Sequence, residues 1–186
     1  MNAYDFDGVV YLGDSSLDSW LYALKDDPRL ALCLPGQAAR MAVNIADRTR
    51  MKSGFFRFLR RVDNIEETLD GFWDTHMDRI SPWYRGRRRA DDIVISASPG
   101  FLVEPACRRL GIRHIIGTDM DMHSGIIKGR NCKGAEKPRR LLAETGIGRV
   151  DEFHSDSLSD APMAAIAGRA FLVYRNGRIS EWPWNQ

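Results

Sequence analysis

The stretch Ala3-Tyr4-Asp5-Phe6-Asp7-Gly8-Val9-Val10 decides how the rest of this chain is organised. We interpret it as the first β-strand, with two aspartates one residue apart where the strand should meet a loop. Residues i and i+2 of a strand point to the same side, so Asp5 and Asp7 can face one small volume. Two carboxylates this close repel each other unless a divalent cation lies between them or one of them holds a proton. The pair therefore predicts either metal-assisted chemistry or a simple turn cap.

Length and charge exclude several classes of protein. The chain has 186 residues, enough for one domain with an elaboration but not for two full domains. Its net charge is only +2, unlike that of a protein that coats nucleic acid, so no nucleic-acid partner is expected. No apolar run approaches the roughly 18 residues of a membrane span. The chain opens on a strand rather than a signal sequence, which predicts a cytoplasmic protein. The sequence leaves the oligomeric state open.

Cysteine and histidine usage argues against a zinc site or a disulfide framework. Cys33, Cys107 and Cys132 are odd in number and lack C-x-x-C spacing, which favours reduced thiols. The four histidines show no spacing typical of metal ligands.

Helical patterns fill the chain after the first strand. They cover residues 17–24, about 37–52, and a short stretch of interleaved Phe and Arg at 54–61. A further helix begins at Asn64, with Glu67 three residues later as in a capping box. Strand character returns only at residues 92–98. About eighty residues are too many for a plain strand-to-helix connection. We therefore predict a helical cap at 14–90 inserted into a core formed by 1–13 and 91–186.

The chain beyond Gly100 alternates between helix and strand, as a parallel α/β fold does. The predicted fold class is α/β, with a Rossmann-like three-layer core, a mainly parallel sheet and the inserted α-helical cap. The elements expected here are a helix at 101–110, a strand at 112–118, a hairpin at 120–128, a helix at 135–145, a strand at 150–155, a short helix at 161–167 and a closing hairpin around Asn176-Gly177.

Four groups of polar residues fall at the carboxyl ends of predicted strands or just before helices, where open α/β sheets bind their ligands. Each group alone is weak evidence, because a loop Ser is usually a cap and a loop Lys is usually solvated. Their order and placement together indicate a site. The groups are Asp5 with Asp7, Ser96 with the amides of Ala97 and Ser98, Lys133, and Asp156 with Asp160.

In this order, these residues resemble the four motifs of the haloacid dehalogenase-like (HAD) phosphohydrolases, and the match covers nearly the whole chain. A helical cap between the first and second motifs is similar to that of the C1-capped branch, which includes phosphoserine phosphatases. Two positions depart from the pattern. Val9 stands where the family usually has Thr, and Asp156 lies between two serines rather than beside glycine. Neither departure removes a catalytic group.

The resemblance implies a reaction, and the chemistry of the residues is compatible with it. Asp5 would attack phosphorus and form an aspartyl-phosphate. Asp7 would protonate the leaving alkoxide and later deprotonate water. The implied cofactor is Mg²⁺, held by Asp5, the backbone carbonyl of Asp7 and Asp156, with Asp160 supporting the site from the side.

The resemblance also assigns the residues that hold the transferred phosphoryl group. Ser96, the amide of Ala97 and Lys133 would contact its oxygens, and Lys133 would also offset the repulsion between nucleophile and substrate. Ser98 is a rival for Ser96, because either serine could end the strand. We prefer Ser96, which keeps the following helix in register with the family pattern.

The expected partner is a small phosphorylated metabolite, with phosphoserine as the leading candidate. Asp14 could meet a substrate amine, although it could equally be a helix cap. Arg57 and Arg60 could meet a substrate carboxylate. One alternative is a lipid phosphate such as phosphatidylglycerophosphate, with the Phe and Arg residues of 55–61 resting on a membrane surface. We favour packing of those phenylalanines inside the cap. The other alternative is a non-catalytic switch that binds Mg²⁺ and phosphate.

Overall fold

A computed structural model describes residues 1–44 and 46–184, with only the backbone of Arg48. Its centre is a six-stranded sheet in the order β3-β2-β1-β4-β5-β6. The first five strands are parallel, and β6 is antiparallel to β5. This arrangement confirms the predicted α/β class. The strands are β1 (Asn2–Tyr4), β2 (Ile93–Pro99), β3 (His114–Thr118), β4 (Val150–Ser155), β5 (Ala167–Val173) and β6 (Ile179–Glu181).

Eight α-helices and several short 3-10 turns surround this sheet in the part of the chain just named. The helices are α1 (Ser15–Asp26), α2 (Leu34–Val43), α3 (Arg48–Phe56), α4 (Ile65–His76), α5 (Pro82–Arg87), α6 (Gly100–Arg109), α7 (Glu136–Thr145) and α8 (Ala161–Ala164). The 3-10 turns are Pro28–Cys33, Arg57–Arg61, Met77–Arg79 and Leu158–Asp160. Among the described helices, none combines the length and apolarity that crossing a bilayer requires.

Alternating side chains of the central strands divide the core into two layers. Tyr4 and Val94 belong to a buried cluster that includes α6 and the helices between β1 and β2. Ala3 and Ile93 point to the other face, where they join a cluster that includes Leu141 of α7. Because successive residues of a strand face opposite sides, the two clusters give helix, sheet and helix layers.

The strand register determines where the polar residues meet. Tyr4 of β1 is paired with Val94 of β2 on one side and with His154 of β4 on the other. All three strands run in the same direction, so the residues that follow them emerge at one edge of the sheet. Because β2 and β4 flank β1, this edge is the switch point at which open α/β sheets bind ligands.

Two predicted helices differ from the observed ones. The pattern at 37–52 predicts one helix, but the chain forms α2 and then α3. Asp47 caps α3 by accepting hydrogen bonds from the amides of Thr49 and Arg50, which fixes the start of a new helix. Ile45, which falls within this predicted helix, lies outside the described residues. The helix predicted at 161–167 ends at Ala164, because Ala167 already pairs with Val150 in the sheet.

Candidate active site

Asp5 lies directly beyond the end of β1 and is 8% exposed. One carboxylate oxygen accepts a hydrogen bond from the amide of Phe6 at 2.8 Å. The other lies 2.7 Å from the ammonium nitrogen of Lys137. Burial raises the pKa of Asp5 to about 7, against the opposing charge of Lys137. The lysine therefore keeps a carboxylate available at a buried position.

Lys137 is fully buried and joins Asp5 to Asp160. Its ammonium nitrogen lies 2.6 Å from Asp160, which also accepts hydrogen bonds from the Gly134 amide at 3.1 Å and the Ser155 hydroxyl at 2.9 Å. Burial alone would raise the pKa of Asp160, but Lys137 holds it below its usual range. Burial likewise opposes the charge on Lys137, yet the two carboxylates raise its pKa. The three groups form a buried network in which one ammonium group pairs with two carboxylates.

Asp7 lies beside Asp5, as the spacing predicts, but its contacts differ. Its carboxylate accepts a hydrogen bond from the amide of Ser15 at 2.7 Å and one from the hydroxyl of Ser98 at 2.5 Å. Burial raises the pKa of Asp7, although both hydrogen bonds oppose this. No described cation forms an ion pair with Asp7, and a carboxyl group with a raised pKa in such surroundings is suited to holding and releasing a proton.

Gly8 brings Asp156 close to this pair. Its φ of +75° is a left-handed conformation that favours glycine. A Cβ atom at this position would lie 2.3 Å from a carboxylate oxygen of Asp156, so no larger residue fits without displacing that side chain. Gly8 therefore packs directly against the aspartate that follows β4.

A cavity of about 480 Å³ opens onto these residues. On one side lie the ends of β1, β2 and β4, and on the other lie side chains from the segment between β1 and β2. Its lining combines five carboxylates, three lysines, several hydroxyl groups and an apolar wall. The apolar wall consists of Leu17, Met41, Met51, Phe55 and Phe56.

The predicted metal ligands are only partly free to bind a cation. Within residues 1–44 and 46–184, no group of three or more His, Cys, Asp or Glu side chains is arranged to hold a metal ion. Asp160 is occupied by Lys137 and Ser155, and Asp7 by its two hydrogen bonds. Asp156 follows β4 and accepts no hydrogen bond from another described side chain. The oxygen donors of Asp5 and Asp156 fit Mg²⁺, which takes few protein carboxylates beside a carbonyl and waters.

The structure gives different positions to Lys133, which the sequence analysis selected, and Lys137, which it did not. We predicted that Lys133 would offset the charge of the nucleophile, but the ion pair with Asp5 belongs to Lys137. Lys133 lies in the loop before α7 and lines the same cavity. Its predicted contact with the phosphoryl group remains a prediction. Lys137 was missed, although it is four residues before the buried Leu141 and so on the buried face of α7.

Ser96, Ala97 and Ser98 all line the cavity, so the choice between the two serines remains a prediction. Ser96 is buried, and its hydroxyl accepts a hydrogen bond from the amide of Ser98 at 3.0 Å. The hydroxyl of Ser98 instead donates to Asp7. The two serines thus differ in role, because one shapes the loop and the other contacts a carboxylate.

The residues predicted for substrate specificity do not all meet at the site. Asp14 caps α1 by accepting a hydrogen bond from the amide of Leu17, and it also lines the cavity. Arg57 and Arg60 line a different cavity and are absent from this one. They belong to the 3-10 turn Arg57–Arg61, which buries Phe58 and Leu59 instead, and their contact with a substrate carboxylate stays a prediction.

Lys52 of α3 supplies a cation to the cavity from the same segment, and no pattern in the sequence singled it out. Its ammonium nitrogen donates a hydrogen bond to the carbonyl of Ala97 at 2.5 Å. Burial lowers the pKa of Lys52 to about 8, although Asp7, Asp14 and Asp5 oppose the shift. No carboxylate of the described chain lies within salt-bridge distance of Lys52.

Comparison with known proteins agrees with this geometry. Residues 3–165 match the family model for haloacid dehalogenase-like hydrolases, and the chain belongs to this family. It is 27% identical over 194 residues to Protein CicA of Caulobacter vibrioides, covering 93% of this chain and 86% of that protein.

Two solved structures share the fold. A protein of unknown function from Bordetella pertussis matches with a TM-score of 0.74 and 20% identity, covering 93% of this chain and 89% of its own. A probable phosphoserine phosphatase from Vibrio cholerae matches with a TM-score of 0.60 and 13% identity, covering 91% of this chain and 55% of its own. The similarity to the HAD family and to the phosphoserine phosphatase fold, inferred from the motifs, is therefore confirmed.

Proposed function

We propose that this hydrolase is a Mg²⁺-dependent phosphomonoester phosphatase that acts through an aspartyl-phosphate. The observation that carries the proposal is the placement of Asp5 against Lys137, with Asp7 as a hydrogen-bonded but unpaired acid beside it. A nucleophilic carboxylate and a separate acid/base are the two groups that this chemistry requires.

In the first step, a carboxylate oxygen of Asp5 forms a bond to phosphorus while the bond from phosphorus to the leaving oxygen breaks. Asp7 donates its proton to that leaving oxygen, so a neutral alcohol departs. The raised pKa of Asp7 supports this role, because burial favours the protonated form of its carboxyl group.

In the second step, Asp7 takes a proton from a water molecule, which attacks phosphorus. The bond between Asp5 and phosphorus breaks, inorganic phosphate leaves, and Asp5 regains its carboxylate. Lys137 stabilises the negative charge of Asp5 before and after this cycle. Bound Mg²⁺, held by Asp5, Asp156 and the backbone carbonyl of Asp7, would neutralise charge on the phosphoryl oxygens.

The phosphoryl oxygens would lie against Ser96, the amide of Ala97 and Lys133. These groups line the cavity at the start of α6 and before α7, and the N-terminus of a helix favours an anion. Lys133 supplies a positive charge at the cavity wall.

We propose that residues 14–90 act as a cap that recognises the leaving group. Asp14 and Lys52 offer one negative and one positive charge to the same cavity, beside the apolar wall. A small zwitterion such as phosphoserine would place its amine at Asp14 and its carboxylate at Lys52. This assignment gives Lys52 the role first expected of Arg57 and Arg60.

The decisive experiment measures phosphate release from a panel of phosphomonoesters, with Mg²⁺ and with chelator. The panel contains phosphoserine, sugar phosphates, nucleotides and dispersed phosphatidylglycerophosphate. We expect metal-dependent release by the natural chain and none by Asp5→Asn. Asp63→Asn, at an exposed aspartate outside the cavity, is the matched control and should retain full activity. Release by a clean preparation of Asp5→Asn would refute the mechanism.

The non-catalytic alternative makes a different prediction. A switch module would bind Mg²⁺ and accept phosphate without releasing it from any panel member. The acid/base position of Asp7 argues against this, because a switch does not need to protonate a leaving group. Intact-protein mass spectrometry of Asp7→Asn tests the point. Slow formation or accumulation of a phosphoryl adduct supports an enzyme, whereas an unchanged steady-state rate contradicts the role of Asp7.

A further inference from the structure

The segment between β1 and β2 contains a second cavity, of about 400 Å³, which the proposed reaction does not use. Four arginines line it: Arg40 from α2 and Arg57, Arg60 and Arg61 from the following 3-10 turn. We call this the arginine cavity. Its lining contains no acidic residue. It shares no lining residue with the cavity at Asp5, so it is a separate site.

The four guanidinium groups are not neutralised by the protein. None of them lies within salt-bridge distance of a carboxylate in the part of the chain that the structure describes. Other arginines of the same segment are paired, for example Arg29 with Asp27 and Arg79 with Asp18. Like charges gathered around a concave surface produce a focused positive potential, which an anion would relieve.

Apolar side chains border this positive surface. Leu32 lines the cavity and is 76% exposed, and Val43 is 84% exposed. Val43 follows Gly36 and Arg40 at helical spacing, so it lies on the same face of α2. Among the phenylalanines of 55–61, Phe56 and Phe58 are buried, and Phe55 lines the cavity at Asp5. The apolar border is therefore formed by other residues than those the sequence indicated.

We propose that the arginine cavity binds a ligand with one or more phosphate groups. Guanidinium groups match phosphate oxygens through paired N–H donors, and four of them around one concavity favour a multiply charged anion. The ligand is either a free phosphorylated anion or the headgroup of an anionic lipid, for which Leu32 and Val43 would contact the acyl region.

The cavity is placed so that its ligand can affect the active site. Arg40 and Met41 are neighbours in α2, yet one lines the arginine cavity and the other lines the cavity at Asp5. Phe56 and Arg57 are divided in the same way. The two cavities therefore lie on opposite sides of one wall, formed by α2 and the end of α3.

Calorimetric titration with inorganic pyrophosphate, in chelator and at low salt, tests the site without requiring any catalytic activity. We expect Arg57→Gln with Arg60→Gln to weaken binding about tenfold or more, because charge-assisted hydrogen bonds are lost. Arg40→Gln with Arg61→Gln is a second, independent pair. Arg113→Gln with Arg149→Gln, two exposed arginines elsewhere, is the matched control and should bind like the natural chain.

Vesicle sedimentation identifies the source of the phosphate. Capture by phosphatidylcholine vesicles containing phosphatidylglycerol, lost in both cavity variants, assigns a lipid headgroup. Pyrophosphate binding without vesicle capture assigns a free anion. Pyrophosphate binding that survives in both cavity variants but is lost in Lys133→Gln belongs to the active site and overturns the proposal. Absence of any response to either probe also overturns it.

Discussion

Lys137 and Lys52 reach the same cavity from different parts of the molecule, and their surroundings are opposite. Lys137 comes from α7 in the core and lies between two carboxylates at 2.7 and 2.6 Å. Lys52 comes from α3, and among the described residues its ammonium group has a backbone carbonyl rather than a carboxylate as partner. The pKa of the first is raised and that of the second is lowered to about 8. The charge of Lys137 is therefore balanced by two carboxylates of the protein, whereas no described carboxylate pairs with Lys52.

The largest effect is expected when the ion pairs of Lys137 with Asp5 and Asp160 are removed. Lys137→Met leaves Asp5 and Asp160 buried without a cation, which should lower the free energy of unfolding by about 3 to 5 kcal/mol. Phosphatase activity of the remaining folded protein should fall by about 10²- to 10³-fold. Urea unfolding and phosphate release measure the two quantities.

The matched control for that change is Lys128→Met. Lys128 is exposed and lies 3.5 Å from Asp121, so its loss should cost less than about 1 kcal/mol. Equal costs for the two variants would mean that the buried network contributes no more than a surface ion pair.

Removal of Lys52, which has no carboxylate partner among the described residues, should affect substrate binding rather than stability. In Lys52→Met we expect KM for an anionic phosphomonoester to rise about tenfold, because one charge-assisted hydrogen bond to the substrate is lost. The free energy of unfolding should stay the same or increase, since a desolvated charge without a carboxylate partner is removed. Steady-state kinetics and urea unfolding provide the measurements. A large loss of stability would instead show that Lys52, like Lys137, is held by interactions that stabilise the folded protein.

The two lysines should also differ in how their charge changes with pH. Lys52 is a cation below its pKa of about 8 and becomes neutral above it, so KM should rise as the pH passes through 8. Lys137 stays charged in that range because its pKa is raised. Lys52→Arg should move this alkaline limb to higher pH, since a guanidinium remains protonated. An unchanged limb in Lys52→Arg would exclude Lys52 as its origin.

The smallest expected effect concerns the acid next to the network. Ser98→Ala removes the hydroxyl that donates to Asp7, and this hydrogen bond lowers the pKa of Asp7. The pKa of Asp7 should therefore rise further, and because Asp7 must be protonated to donate in the first step, the alkaline limb of kcat/KM that reports its deprotonation should move to higher pH. Ser98→Thr keeps the hydroxyl and should restore the profile. If Ser98→Ala and the natural chain had the same profile, the hydrogen bond would not tune Asp7.

Most of the fold was predictable from local patterns. Strand β4 was predicted with its observed bounds, and the apolar run closed by Pro99-Gly100 was predicted as a strand at residues 92–98, close to the observed β2. Asn64 was recognised as a cap, and its side chain accepts a hydrogen bond from the amide of Glu67 at 3.2 Å. The break between α2 and α3 was missed. No Gly or Pro directly follows α2, which ends at Val43, and the Asp47 cap that starts α3 is a single-residue signal.

The candidate site was predictable where it depends on neighbours in sequence. The i, i+2 spacing was enough to indicate that Asp5 and Asp7 would lie together, and the four polar groups that follow strands all line one cavity. Lysine identity was not predictable in the same way. Lys133 and Lys137 are four residues apart near the start of one helix, and only the position of α7 against β1 decides which reaches Asp5.

The sequence alone therefore determined the family, the order of strands and helices and the carboxylates at the sheet edge, because these follow from short-range spacing and from alternation along the chain. Only the tertiary structure decided which cations face those carboxylates. Lys52 is 47 residues from Asp5, and Arg57 is five residues beyond Lys52. Lys52 nevertheless lines the cavity at Asp5, whereas Arg57 lines the arginine cavity. Which cation meets which anion depends on how helices pack across the sheet edge, and no periodicity of the chain encodes that choice.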